Sequence, residues 1–532
     1  MKYLSLLLLS NWALASISIP LNTTRRILRP DLYGYSIEPS SLTPYLQSDL
    51  AATVLGHIAS IAGTPATIRV GGNIADQTIF DETLSVPSLA LPNDTVVDTL
   101  TIQESWFHNW TTYFPPSTPF IYTLNLRNTT SSWSTAMSQA SAAIRILGPS
   151  LSLLELGNEI DHYISKNWRP STWNTTSYTA QWKTLTHQLT TAPFYTNASH
   201  KPLFQAAVFA DPPLVPDQHD ALDDFDIVNV TRAGLINPRL IKSYTMHLYP
   251  QSTCDPPREA RLSLNLLSNH SVIRTNISQY IPQVAAAERA GSILTLGETN
   301  SASCSGRSGI SDTFGAALWA VDYVLQAASI GLQQVLFHLG HVSEYSAFTP
   351  LPYEYKGERL EAGVRAHFMS HLFLAHAVSD QGVGGQGEKR NGERTISALP
   401  GDEDGFSGYA VFGPRRLEKL VFVDLGVWNS TEGTGNPSTL RATDSEFKSD
   451  GERPVRSVEV KTGWRAGESV DVLRLQGPGT NAKSQVSVSG LEVDTLTGAL
   501  VGEKREEKLV VGDGGLVQFE LQQAEAILLQ VK

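Results

Sequence analysis

The sequence predicts a (β/α)8 barrel followed by a β-sandwich, and three observations carry that prediction. Eight short apolar runs recur between Tyr33 and Leu339, with helical spacing between several of them. Two Gly-flanked glutamates close the fourth and seventh runs. After Asp380 the texture changes to dense charge and two-residue alternation.

The eight runs are Tyr33 to Ile37, Thr67 to Val70, Phe120 to Leu126, Ser152 to Leu156, Leu203 to Phe209, Ser243 to Leu248, Ser292 to Leu296 and Val335 to Leu339. Each is continuously apolar rather than alternating, as suits parallel strands covered on both faces. The clearest intervening helix runs from Ser311, read as its N-cap, to Gly331. Phe314, Leu318, Val321 and Leu325 keep helical spacing along it. A last barrel helix is predicted over Arg365 to Val378. Strands alternating with helices point to a closed barrel. An open doubly wound sheet would want a Gly-rich phosphate loop after an early strand, and none is present.

Asp380 to Gly387 is glycine-rich and reads as a linker. Beyond it Val470-Asp471-Val472 and Val517 to Leu521 alternate, with turns at Asp494 to Gly498 and Gly512 to Gly515. The expected organisation is therefore a leader over 1–15, a barrel over 16–380 and a sandwich over 381–532. Residues 16–29 alternate weakly and could supply a strand to the β domain.

The leader is read from Lys2, the apolar run through Leu9, and Ala13-Leu14-Ala15, the pattern of a secretory signal with an A-x-A cleavage site. The run is too short to span a bilayer. Ten N-x-S/T triplets open at Asn22, Asn93, Asn109, Asn128, Asn174, Asn197, Asn229, Asn269, Asn276 and Asn429, and each one used must be on the surface. The two cysteines, Cys254 and Cys304, either pair, as a secreted chain allows, or stay as buried thiols. Neither has a neighbour at metal-ligand spacing, so no metal is indicated. A formal net charge of −12 without a basic stripe argues against nucleic acid and against an anionic membrane surface. No signature of a particular oligomeric state is visible.

The chemistry lies in Leu154-Glu155-Leu156-Gly157-Asn158-Glu159 and Leu294-Thr295-Leu296-Gly297-Glu298-Thr299. Barrel active sites form at the C-terminal ends of strands. Carboxylates there on strands four and seven would face each other across a pocket, which is what glycoside hydrolysis requires. Such an enzyme uses two carboxyls and water, so no cofactor is implied and the partner is a carbohydrate. One carboxyl must hold a proton and so wants a dry or negatively charged setting; the other must stay ionised and wants donors. Asn158 could hold the sugar 2-OH, and Tyr249, in Met246-His247-Leu248-Tyr249, could donate to Glu298. A single Glu at a strand end is more often a surface or cap residue; two on facing strands are not so easily dismissed. Glu155, inside its run, is expected to pair with a neighbour. Glu38 is open between a substrate contact and a structural ion pair, and His247 between the site and the core.

Ile68-Arg69-Val70-Gly71-Gly72-Asn73, Leu154 to Asp161, His247 to Tyr249, and Gly297 to Ser301 followed by Ser311-Asp312-Thr313-Phe314 together resemble glycoside hydrolase family 79. That family of clan A holds β-glucuronidases and heparanase, and the resemblance covers nearly the whole mature chain. It implies a retaining mechanism with Glu159 as acid/base and Glu298 as nucleophile, Tyr249 as the tyrosine beside the nucleophile, and Asp76 as a sugar contact. For Asp76 a helix N-terminal carboxylate is the alternative. Two positions depart from the family. Ile160 stands where a proline usually follows N-E. The loop that binds the sugar carboxylate, usually Tyr-Gly-Gly, reads Ser303-Cys304-Ser305 here. Ser303 could donate its hydroxyl, and the N–H groups of Cys304 and Ser305 could form an anion nest. Arg307 and Lys356 would add positive charge. If Cys304 is bridged to Cys254, the bridge would hold this loop at the mouth. The expected activity is a secreted β-glucuronidase, with 4-O-methyl glucuronate as a further substrate. The alternatives are a retaining exo-β-glycosidase for a neutral glucoside or xyloside, and a non-catalytic cell-wall protein that binds sugar.

Overall fold

The structure is a computed structural model that describes residues 15–20, 23–93, 96–127, 130–213, 225–340, 342–380, 392–400, 404–441 and 448–532. The leader up to residue 14, Asn22, Asn128 and the glycine-rich stretch 381–387 lie outside the described residues.

Eight parallel strands close on themselves in sequence order: β1 Tyr33–Ile37, β2 Ile68–Val70, β3 Phe120–Leu124, β4 Leu151–Leu156, β5 Leu203–Phe209, β6 Ile241–Leu248, β7 Ile293–Thr299 and β8 Val335–Leu339. All eight apolar runs are barrel strands. Their continuity has the expected cause, since β1, β2, β3 and β8 are buried at every residue between the lumen and the outer helices.

Helices α1 Asp49–Ala62, α2 Thr130–Leu147, α3 Thr175–Thr191, α4 Ile227–Arg232, α5 Ile281–Arg289, α6 Phe314–Ile330 and α7 Phe368–Val378 form the outer layer. Helix α6 begins three residues after the predicted N-cap. Thr313, not Ser311, accepts the N–H of Ala316, and Gly331 ends the helix in the left-handed conformation. The Ser311 hydroxyl is occupied elsewhere, accepting from Arg307 N–H and from Ser301. Between β2 and β3 a small sheet of Thr78–Phe80, Ser88–Asn93 and Val96–Ile102 takes the place of a long helix. No described helix is long and apolar enough to cross a membrane.

The C-terminal region is antiparallel. A large sheet contains Arg394–Ala398, Phe406–Phe412, Leu417–Asp424, Glu525–Val531 and Ser469–Gln476, and Arg26–Leu28 joins its edge. A second sheet pairs Val455–Lys461 with Leu516–Gln522 and, in parallel, with Ala15–Ser18. Alternate residues of the large sheet face two cores. Ala410, Phe412, Phe422 and Ile527 meet Val458, Trp464 and Phe519 of the second sheet. Tyr409, Val411, Val421 and Leu528 belong instead to the core shared with α6 and α7. The β domain is thus packed hard on the barrel.

A buried ion pair crosses that junction. Lys483 Nζ lies 2.8 Å from Asp312 Oδ2 and donates to Ser308 Oγ at 2.8 Å, so the β domain grips the loop that follows β7. The described sequon asparagines Asn109, Asn174 and Asn197 are exposed, and Asn229, Asn269, Asn276 and Asn429 are half-buried; Asn93 ends a strand of the small sheet.

Candidate active site

β4 and β7 carry their glutamates to the C-terminal mouth by different local devices. On β7 the register with β6 slips between Met246 and His247, so that Leu296 faces Met246 but Glu298 faces His247. Gly297 is the extra residue. A Cβ there would sit 2.3 Å from Thr245 Oγ1, so only glycine lets the strand bulge and turn Glu298 into the pocket. Beyond β4, Glu159 adopts φ +50° at the start of a 3-10 turn over Ile160–Tyr163. A left-handed non-glycine residue is strained, and such strain persists where the surroundings fix it. Asp76 supplies part of that fixing. It is fully buried, and its two oxygens accept the N–H groups of Leu126 and Asn158. With both oxygens accepting backbone N–H groups at full burial, Asp76 supports the Asn158–Glu159 turn.

One oxygen of Glu159 and one of Glu298 lie within 4.8 Å of each other, with His247 Nδ1 inside the same distance of both. Glu298 is surrounded by donors. Tyr249 donates to Oε1 at 2.9 Å and Arg69 Nη1 to Oε2 at 2.9 Å, with His338 Nδ1 at 3.7 Å. Burial pushes the Glu298 carboxyl up, but the charges of His338, His247 and Arg69 outweigh it and leave its pKa below the usual range. Glu159 takes its contacts from histidines: His247 Nδ1 at 3.2 Å from Oε1, and His162 Nδ1 at 3.7 Å from Oε2. Burial raises its pKa; the two imidazoles more than reverse that and hold it well below the usual range.

Arg69, from β2, ties the lumen together. Its guanidinium donates to Glu155 Oε2 at 2.8 Å, Ser36 Oγ at 3.0 Å, Glu298 Oε2 at 2.9 Å and Asn158 Oδ1 at 2.8 Å. Glu155 pairs inside the barrel as expected, with Arg69, Gln205 and Thr123. Asn158 Oδ1 accepts from Arg69, while its Nδ2 is buried without a protein partner.

The Glu159, His247, Glu298 triad, and a second of Asp161, His162 and Asp211, also have metal-like spacing. Arg69 beside the first triad and a charged His162 in the second already supply the positive charge a cation would bring.

A profile described as the glycosyl hydrolase family 79 C-terminal beta domain matches residues 408–528. A β-glucuronidase of Neurospora crassa is 27% identical over 421 residues, covering 75% of this chain and 72% of the relative. One of Aspergillus niger is 25% identical over 547 residues, covering 97% and 93%. In that domain and in these two relatives the chain is similar to glycoside hydrolase family 79. Among solved structures, a 4-O-α-L-rhamnosyl-β-D-glucuronidase from Fusarium oxysporum, in complex with Rha-GlcA, shares the fold with TM-score 0.77 at 22% identity, covering 97% of this chain and all of that one. A family 51 arabinofuranosidase from Xanthomonas axonopodis follows at TM-score 0.59 and 12% identity.

Cys254 and Cys304 are joined, with Cα atoms 6.0 Å apart, and Gln251–Ser252 pairs in parallel with Ala302–Ser303. The loop after Glu298 is therefore stitched to the loop after β6. Ser303 spends its hydroxyl proton on Ser252 Oγ at 2.8 Å. Cys304, Ser305 and Gly306 are all left-handed, and the carbonyls of Ser303, Cys304 and Ser305 accept from Thr253, Thr253 and Glu344. Lys356 is paired with Glu344 at 3.3 Å. Arg69, Tyr345, His338 and His162 are site groups to which sequence reasoning gave no role. Tyr345, after β8, sets its ring 6.3 Å from that of Tyr249. An arginine inside an otherwise apolar barrel run was the available signal for Arg69, since a charge there must be paired.

Glu38 completes the wall between β1 and β8. Its Oε1 accepts the N–H of Ile74, and Gly72, at φ +142°, leaves it room: a Cβ there would fall 1.7 Å from Oε2. Burial, reinforced by the charge of Glu298, pushes the Glu38 pKa up to about 8 against the pull of Ile74 N–H. A glutamate in the unfolded chain titrates near ~4.3. Between those values the unfolded state has released its proton and the folded state has not, so this group's contribution to stability is lost as pH rises from ~4.3 through about 8. Glu38→Gln, which cannot titrate, should therefore gain Tm relative to the parent as pH rises, by a few degrees between about pH 5 and 8. A Tm difference that is the same at both ends of that range would remove Glu38 as the titrating group.

Proposed function

We propose that the enzyme is a secreted, N-glycosylated, retaining β-glucuronidase. The observation that carries the mechanism is the approach of Glu159 and Glu298 oxygens to within 4.8 Å. Retaining glycosidases hold their carboxyls at about 5–5.5 Å, and inverting ones leave room for a water between them. The β-glucuronidase relatives support the sugar.

In the first displacement Glu298, kept ionised by Arg69 and Tyr249, attacks the anomeric carbon while Glu159 protonates the departing oxygen. Asn158 Nδ2 donates to the 2-OH, a contact that strengthens as positive charge develops at the anomeric carbon. In the second, Glu159 takes a proton from water, which displaces Glu298. Once the ester has formed and the leaving group has taken its proton, Glu159 is a carboxylate facing the incoming water, and the same carboxyl acts as base.

For the uronate, the left-handed turn at Cys304–Gly306 supports an anion nest. The carbonyls of Ser303, Cys304 and Ser305 are engaged by Thr253 and Glu344, and the N–H groups of Cys304 and Ser305 are the donors it has to offer. The leader, the sequons and the disulfide support secretion.

The test expresses the full chain through a eukaryotic secretory pathway and assays what reaches the medium against 4-nitrophenyl β-glucuronide and β-glucoside. The expected product begins near Ser16 and prefers the glucuronide by about a hundredfold or more in kcat/KM, the scale of discrimination that a built anion site gives. A preference for the glucoside would replace the uronate by a neutral sugar, and protein held inside the cell would remove secretion.

A further inference from the structure

The 3-10 turn that presents Glu159 also presents His162, three residues on. The imidazole is clamped between two carboxylates. Nδ1 is 3.7 Å from Glu159 Oε2, and Nε2 is 3.2 Å from Asp211 Oδ1. Asp211 follows β5 and is itself held: Asp161 accepts the N–H groups of Ala210 and Asp211, each at 2.9 Å. The Glu159 turn and the β5 loop are thus buttoned together, with His162 at the button and facing the acid/base group. The other charged or titratable groups around the pair are His247 on β6, Glu298 on β7, and Arg258 and Tyr280, both within the field of Asp211.

We infer that His162, held by Asp211, is a positioning residue that stores the proton Glu159 delivers to the leaving group. The inference rests on Glu159 being the acid/base residue, as proposed above. It answers a difficulty of the free site. Glu159 is held there as a carboxylate, and a carboxylate has no proton to give. His162 has one. Burial works against its charge, but the hydrogen bond to Asp211 and the nearby charges of Glu159 and Asp161 lift its pKa to about 11.

The steps balance. As the glycosidic C–O bond breaks and the Glu298–carbon bond forms, the leaving oxygen takes a proton from Glu159, and Glu159 takes the one on His162 Nδ1. The Nε2 proton stays with Asp211. In the second displacement water gives its hydroxyl to the anomeric carbon, the ester bond breaks, and the remaining proton returns through Glu159 to Nδ1. Carboxylate with imidazolium, and carboxylic acid with imidazole, are two arrangements of one proton inventory, so the acid titrates as the pair. A sugar that closes off water disfavours the ion pair and favours the neutral arrangement, in which Glu159 carries the proton.

The prediction concerns leaving groups. A dinitrophenolate departs with little help from an acid, whereas an alkoxide needs a full proton. His162→Gln and Asp211→Asn are compared with the parent on 2,4-dinitrophenyl and methyl β-glucuronide, using kcat/KM, which reports the first displacement. In His162→Gln, methyl glucuronide cleavage should fall by about 10- to 100-fold, and its basic pH limb should move down by at least about one unit. Dinitrophenyl glucuronide should change less than about threefold. Asp211→Asn, on an exposed side chain that leaves the fold alone, should shift the methyl profile the same way by less. Equal losses on both substrates would make His162 merely structural and overturn the inference, as would an unmoved basic limb in both variants. A parent that cleaves neither glucuronide would instead overturn the glucuronidase reading beneath it.

Discussion

Glu298→Gln should lower kcat on an activated β-glucuronide by about five orders of magnitude, with KM changed far less. The amide has the size of the carboxylate, and the pocket can accept it. Its oxygen can take the Arg69 hydrogen bond, and its nitrogen can donate to the Tyr249 hydroxyl, so the variant should fold with the parent's Tm to within a few degrees. What it lacks is the negative charge that becomes the bond to the anomeric carbon. The same residue should be found esterified when the parent is treated with a 2-deoxy-2-fluoro glucuronide bearing a good leaving group, because fluorine slows the second displacement more than an activated first one. Peptide mass analysis would locate the label. A label on any residue other than Glu298, or substantial turnover by the glutamine variant, would remove the double-displacement mechanism.

How far the fold was legible follows from which interactions write themselves into consecutive residues. The eight strands did, because a strand covered on both faces must be apolar throughout, and that leaves an unbroken run. Positions at strand ends did too: the pair of Gly-flanked glutamates marked the mouth. Contacts made by single side chains across the barrel leave no such trace. Asp76 sits beside a glycine-rich turn, and its bonds to Leu126 and Asn158 N–H, which tie it to the Glu159 turn, leave no mark in the sequence. The strands of the small sheet over Thr78–Ile102 pair with one another and bury Leu100 and Ile102, a pairing that their interrupted pattern (Pro87, Pro92) conceals in the sequence. Ser311 and Thr313 are equally good caps by type, and the tertiary bond from Ser301 to Ser311 decides between them. His162 is one turn from Glu159, but its meaning depends on Asp211, which another strand delivers.

Arg69 is where the fold and the chemistry are most tightly joined, and its replacement should damage both in separable ways. The guanidinium is fully buried and serves Glu155, Glu298 and Asn158 at once. Arg69→Ala leaves two carboxylates in the barrel without their counter-charge, and breaking a buried pair in this way costs about 3–5 kcal/mol. The variant should therefore unfold at markedly lower denaturant or fail to accumulate. Arg69→Lys is the informative change. It keeps the charge but offers one ammonium in place of a planar fork, and cannot hold β4, β7 and the Asn158 turn together. The Glu298 carboxyl is held low partly by Arg69, and a group depressed on folding lends stability above its unfolded pKa that is lost as pH falls through the folded value. Loosening the contact should raise the Glu298 pKa, so the acidic limb of kcat/KM moves to higher pH, by about one unit, while kcat at the optimum falls by about 100-fold. The direction separates this residue from His162, whose loss moves the opposite limb. An Arg69→Lys enzyme with the parent's acidic limb and the parent's kcat would mean that Tyr249 and His338 suffice to keep the nucleophile ionised, and that the arginine serves packing alone.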